Sequence, residues 1–189
     1  MLEFNNTYLQ NNAIIDVYGK CMTYSDINDF CKQMNTKLPT RSLVFCLCNN
    51  VVGSLLGYIS FLQNRVVPVM LDASKDDESI KTLLDIYKPN YIWMPKKKQN
   101  AYDGKCVFEA YEYVLIEYST TEIELNDDLA LLLTTSGSTG SPKLVRLTYK
   151  NVESNAKSIA EYLQIDESER PVTSLPMYYS FGISVINSH

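Results

Sequence analysis

Histidine is almost missing: His189 is the only one in 189 residues. A Ser-His-Asp triad, a Cys-His pair and a His-rich metal site all need imidazole, so these chemistries are excluded within the chain. Positive charge is also scarce, with 17 Lys and Arg against 22 Asp and Glu, a net charge of −5 and a pI of about 4.9. Affinity for a phosphodiester backbone comes mostly from clustered Lys and Arg, so nucleic acid is not expected as the main partner. The one basic run, Lys96-Lys97-Lys98 after Pro95, reads as a solvated turn. Cysteines number five, an odd count, and Met1-Leu2-Glu3-Phe4-Asn5-Asn6 has neither the basic start nor the apolar run of a secretory signal. Reduced thiols and a cytoplasmic setting are expected. Cys46 and Cys48, inside an apolar run, are expected as buried structural side chains on opposite faces of a strand rather than as metal ligands.

Internal repeats, low-complexity tracts and Gly/Ser linkers are lacking, so residues 1–189 are expected to form one unit. Charge is missing from residues 42–64, between Arg41 and Arg65, a length that resembles a membrane span. Asn49, Asn50, Gly53, Ser54, Gly57, Gln63 and Asn64 interrupt that stretch, and its first apolar residues read as a buried strand. No membrane span is expected.

What is present is ordinary globular composition, 46% hydrophobic and 21% charged, on a chain long enough to bury a core. Residues 13–18 and 21–24 read as two short strands around Gly19-Lys20. A helix follows, with Ser25 as N-cap and Ile27, Phe30, Cys31 and Met34 on its buried face. Leu43 to Cys48 is a continuous apolar strand. Val52, Leu55, Leu56, Ile59 and Leu62 have helical spacing, and residues 66–71 form another apolar run. Pro68 cannot donate to a ladder and is placed at a strand edge or irregularity. A helix carrying Ile80, Leu83, Leu84 and Tyr87 ends near Pro89, before the strand 91–94. Residues 105–109 and 111–118 read as strands, the second alternating around Glu112 and Glu117. Leu129 to Leu133 and Leu144 to Leu147 are further strands, and Val152, Ala156, Ile159, Ala160 and Leu163 mark the inner face of a helix. Apolar strands separated by helices predict an α/β fold, a parallel or mixed sheet flanked by helices.

Between the last two strands lies Thr134-Thr135-Ser136-Gly137-Ser138-Thr139-Gly140-Ser141-Pro142-Lys143. Gly137 and Gly140 permit positive φ and close approach, so successive N–H groups can converge on an anion. The hydroxyls add donors, and Lys143 supplies a mobile charge. This combination suits polyphosphate. It is not a Walker loop, which would need Gly at Pro142, nor a nucleophile elbow or a dinucleotide turn.

The segment from Thr135 to Lys143 resembles the core motif of the adenylate-forming superfamily, Thr-Ser-Gly-Ser/Thr-Thr-Gly-x-Pro-Lys, at every fixed position. That superfamily comprises acyl-CoA synthetases, adenylation domains of peptide synthetases, and luciferases. Met22-Thr23-Tyr24-Ser25-Asp26-Ile27, Val67-Pro68-Val69-Met70-Leu71-Asp72 and Leu175-Pro176-Met177-Tyr178-Tyr179-Ser180-Phe181-Gly182 resemble weaker family segments in the same order. Two positions depart: Leu144 stands where the family usually has Gly, and Tyr179 where many acyl-CoA synthetases carry His.

The resemblance implies an enzyme that binds ATP with Mg²⁺, joins a small carboxylic acid to AMP with release of pyrophosphate, and passes the acyl group to CoA, a carrier-protein thiol or another acceptor. It implies that Thr135, Ser136, Gly137, Ser138, Thr139, Gly140 and Lys143 hold phosphates, with Lys143 the catalytic candidate. Tyr179, Phe181 and Gly182 are candidates for the substrate pocket, and no residue is assigned to a metal. The family's later motifs, for adenine, ribose and Mg²⁺ and the C-terminal lysine, would fall after His189. Residues 1–189 are therefore expected to be the N-terminal portion of an AMP-binding domain, inactive alone. The alternatives are a non-catalytic polyphosphate- or nucleotide-binding module and a phosphotransferase with an unusual Gly-rich loop.

Overall fold

Leu43–Cys48 (β3) shows why the sheet is covered on both faces. Val44, Cys46 and Cys48 enter one apolar cluster with Ile27, Phe30, Met34 and Leu56, whereas Leu43, Phe45 and Leu47 enter another with Ile80, Leu83 and Leu84. The computed structural model describes residues 6–134 and 143–189. Around β3 lie β1 (Asn12–Ile15), β2 (Cys21–Thr23), α1 (Tyr24–Asn35), α2 (Val52–Gln63), β4 (Val67–Asp72), α3 (Asp77–Tyr87) and β5 (Tyr91–Pro95). Then follow β6 (Lys105–Ala110), β7 (Tyr113–Glu117), β8 (Leu129–Thr134), β9 (Leu144–Thr148), α4 (Tyr149–Leu163) and α5 (Ser180–Ser188).

β1 and β2 form a separate antiparallel hairpin, and the other strands form one sheet in the order β6-β7-β5-β3-β4-β8-β9. The inner strands β5, β3, β4 and β8 are parallel, while β6, β7 and β9 run antiparallel to their neighbours. The sheet is therefore mixed, with helices on both faces, as the apolar strand runs imply. Arg41 anchors the start of β8, its guanidinium donating to the backbone carbonyls of Arg65, Asn126 and Leu129.

Several local expectations are corrected. Thr23, not Ser25, caps α1: its Oγ1 accepts from the Asp26 N–H at 3.1 Å, and the Asp26 carboxylate accepts the Thr23 N–H at 2.8 Å. Cys46 and Cys48 are buried but share a face, because residues two apart in a strand point the same way, and their sulfurs lie 3.6 Å apart. β7 does not alternate: Tyr113 and Leu115 pack on one face and Val114 and Ile116 on the other, since the strand lies inside the sheet between β5 and β6. Pro68 sits in a central strand. The Val67 N–H points to β3, so the missing donor of Pro68 faces β8, where paired residues begin only at Val69.

Lys98 is not simply solvated. Its ammonium lies 2.7 Å from the Asp77 carboxylate and joins the 3₁₀ turn Lys96–Ala101 to the first turn of α3. The apolar face of α4 is half covered at Val152, Ala156, Ile159 and Ala160, and Leu163 is 59% exposed, because α4 lies beside the edge strand β9. Among the described residues no helix is long and apolar enough to cross a membrane. Residues 42–64 are instead β3, a short turn and α2.

Candidate functional site

Because β3, β4 and β8 are parallel, their carboxyl ends at Cys48, Asp72 and Thr134 meet at one edge of the sheet. In open α/β sheets this edge forms the crevice that receives ligands. β9 returns antiparallel to β8, so Thr134 and Leu144, the strand residues that bound the segment 135–143 in the sequence, are paired at that edge. Thr135, Ser136, Gly137, Ser138, Thr139 and Gly140 lie outside the described residues. Lys143 is described, exposed and immediately before β9. Leu144, the departure from the family's Gly, takes an ordinary place in the ladder.

Residues 172–179 reach the same edge from α4. The Asn50 side chain, just past β3, donates its Nδ2 to the carbonyls of Thr173 at 2.6 Å and Leu175 at 2.7 Å. Its Oδ1 accepts the Met177 N–H at 3.1 Å. Met177 is buried, and Tyr178 next to it faces the Asp72 carboxylate at the end of β4. Partial burial pushes the Asp72 carboxyl upward, but donation from the Ser74 N–H and hydroxyl and from Tyr178, with the charge of Lys75, outweighs it and holds the group below the usual carboxylate range. Burial, and then the neighbouring carboxylate, pushes the Tyr178 phenol up to about 12. Tyr178 therefore stays protonated near neutrality and can only donate to Asp72.

Tyr179 precedes α5 and is 47% exposed, its ring 4.7 Å from that of Tyr178. Phe181 is 67% exposed, and with buried Gly182, Val172, Leu175 and Val185 it lines a cavity of about 160 Å³. A Cβ on Gly182 would lie 2.2 Å from the Pro176 carbonyl oxygen, so this glycine lets α5 start directly against residues 175–176. The structure thus brings Tyr179, Phe181 and Gly182 together at the start of α5, although Tyr179 is not part of that lining. A larger groove of about 370 Å³ opens between β8, β9, α4 and α5, with an apolar floor of Leu131, Leu133, Leu147 and Ile183. Among the described residues no group of three or more His, Cys, Asp or Glu side chains gathers as a metal site.

Sequence reasoning missed Asn50, and Asp72 and Tyr178 entered only as parts of motifs. The available signal was positional: Asn49-Asn50 and Asp72 are the first polar residues after two buried apolar strands, where a parallel sheet presents its ligand edge.

A seven-stranded mixed sheet with helices on both faces and its parallel strands β3, β4 and β8 ending at one edge defines an α/β protein. The chain belongs to the family of AMP-binding enzymes, whose family model matches residues 5–188. Among its relatives, the 2-succinylbenzoate–CoA ligase of Bacillus subtilis is 36% identical over 153 residues, which cover 81% of this chain and 25% of that protein. Apo MatB from Rhodopseudomonas palustris superposes with a TM-score of 0.77 at 17% identity, covering 95% of this chain and 40% of MatB. The O-succinylbenzoate coenzyme A synthetase MenE from Bacillus subtilis, in complex with ATP and magnesium ion, gives 0.66 at 19% identity, covering 89% of this chain and 48% of MenE. The chain spans less than half the length of each.

Proposed function

We propose that residues 1–189 form the N-terminal part of an AMP-binding domain that activates a small carboxylic acid as its acyl-adenylate. In this reading ATP is a substrate. A carboxylate oxygen attacks the α-phosphorus, the bond from that phosphorus to the pyrophosphate oxygen breaks, and negative charge gathers on the departing pyrophosphate. We assign the backbone N–H groups and hydroxyls of Thr135, Ser136, Gly137, Ser138, Thr139 and Gly140, with the Lys143 ammonium, to the β and γ phosphates. Donors aimed at that developing charge lower the barrier electrostatically. The observation that carries the reading is the unbroken Thr135-to-Lys143 motif at the carboxyl edge of β8.

Tyr179, Phe181 and Gly182 are assigned to the acid side, with Tyr179 as a contact and not a base. MenE in complex with ATP and magnesium ion supports the use of both. No described residue is assigned to the metal, and no step is routed through it. Kinship to a CoA ligase supports CoA as acceptor ahead of a carrier-protein thiol. The reading places the enzyme in the cytoplasm, and it leaves residues 1–189 by themselves without turnover.

The test is carboxylate-dependent ATP–pyrophosphate exchange, with product analysis, in an enzyme joining residues 1–189 to the remainder of an AMP-binding domain. AMP and pyrophosphate are the expected products; ADP would make the protein a phosphotransferase.

A further inference from the structure

Residues 172–177 lie against the sheet edge without belonging to the sheet. Among the described residues their backbone makes no hydrogen bond to a strand; Ser174 N–H bonds to Val172 and Tyr179 N–H to Pro176, both within the segment or its continuation. Met177 packs into the cluster that holds Cys46 and Cys48, and the hydrogen bonds that tie the segment to the end of β3 come from one side chain. Asn50 presents both faces of its amide: Nδ2 donates twice, to Thr173 and Leu175, and Oδ1 accepts from Met177. Two donations and one acceptance along alternate residues hold the segment's direction and its register. Asn50 is itself exposed, so it contributes these bonds without filling the core.

The clamp is next to the candidate site. Two residues past Met177 stands Tyr179, and between them Tyr178 faces Asp72 on β4, the strand adjacent to β8. We infer that Asn50 is a positioning residue: it clamps residues 173–177 to the end of β3 and so sets where Tyr179 stands at the start of α5. This inference rests on the assignment of Tyr179 to the acid side; the clamp itself does not.

Two measurements separate the parts. The first is amide hydrogen exchange, read by mass spectrometry, on the 189-residue chain and its Asn50→Ala and Asn50→Asp variants. Asp keeps the acceptor but loses both donors. Peptides covering residues 173–179 should exchange at least about tenfold faster in both variants, while β3 and β4 keep their protection. Wild-type exchange there, with β3 protected, overturns the clamp. Should Asn50→Ala lose the protection of β3, the isosteric Asn50→Asp decides alone.

The second measurement is acid-dependent ATP–pyrophosphate exchange in the enzyme joined as above. Asn50→Ala should raise KM for the acid about tenfold, with kcat and KM for ATP within about twofold. Faster amide exchange with an unchanged acid KM overturns the positioning role. If the wild type shows no exchange with any acid, the proposed function fails, and the clamp is still decided by the first measurement.

Discussion

The indole of Trp93 occupies the place that a side chain at position 57 would need: a Cβ built on Gly57 would lie 2.2 Å from Nε1 of Trp93. The same N–H donates to the Gly53 carbonyl at 2.9 Å, and the ring packs with Phe30, Phe108 and Tyr113. Glycine inside a helix is unfavourable by about 1 kcal/mol relative to Ala. Displacing a fully buried indole costs about 1–3 kcal/mol through overpacking, and losing its hydrogen bond about 1 kcal/mol more. Gly57→Ala should therefore destabilise the chain despite the better helix former. Urea unfolding followed by the fluorescence of this single tryptophan measures it, and a midpoint at or above wild type would show that α2 can shift freely from β5.

Burial sorts the five thiols. Cys21 and Cys106 are exposed; Cys31, Cys46 and Cys48 are buried. Burial pushes the Cys31 thiol up to about 11 and raises Cys46, so neither offers appreciable thiolate near neutral pH. Titration with a chromogenic disulfide should find two fast thiols in the native chain and all five in denaturant. A third fast thiol would mean that the α1 and α2 face opens locally.

The Tyr178 and Asp72 pair has a pH signature at each end of the scale. Tyr178 titrates at about 12, above its unfolded value, so the stability tied to its protonated form is present below about 10 and is lost as pH rises through about 12. Asp72 is held below 3.8, so its contribution is present above that value and is lost as pH falls through the folded one. In ¹³C NMR of labelled tyrosine, Asp72→Asn should move the Tyr178 titration down while leaving it above about 10, because burial is the larger cause. An unmoved titration would separate the two groups.

Lys143 carries the sharpest prediction for activity. Losing a charge-assisted contact costs about 1.5–3 kcal/mol, so Lys143→Ala should slow acid-dependent ATP–pyrophosphate exchange about tenfold or more. Exchange at the wild-type rate removes Lys143 from the phosphate site.

Much of the fold was legible because its strongest signals are local. β3 and β8 appear as continuous apolar runs, since a strand covered on both faces has no solvent side to mark with polar residues. The spacing of Ile80, Leu83 and Leu84 marks one helical face for the same reason. β7 departs from the expected alternation because Glu112 and Glu117 flank a strand whose interior faces two cores, a fact that depends on its neighbours. The inner face assigned to α4 is apolar in sequence but only half covered, because coverage depends on what packs against the edge strand.

By itself, then, the sequence determined the alternation of strands and helices, the buried faces of α1 and α3, and the run of glycines and hydroxyls over residues 135–143, because periodicity and motif spacing act over a few residues. Tertiary structure alone decided the strand order, the edge at which β3, β4 and β8 end together, and the meeting of Asn50 with residues 173–177 and of Asp72 with Tyr178. Those partners are separated by more than a hundred positions, and a hydrogen bond across that distance forms only once the sheet has brought the chain back to the same place.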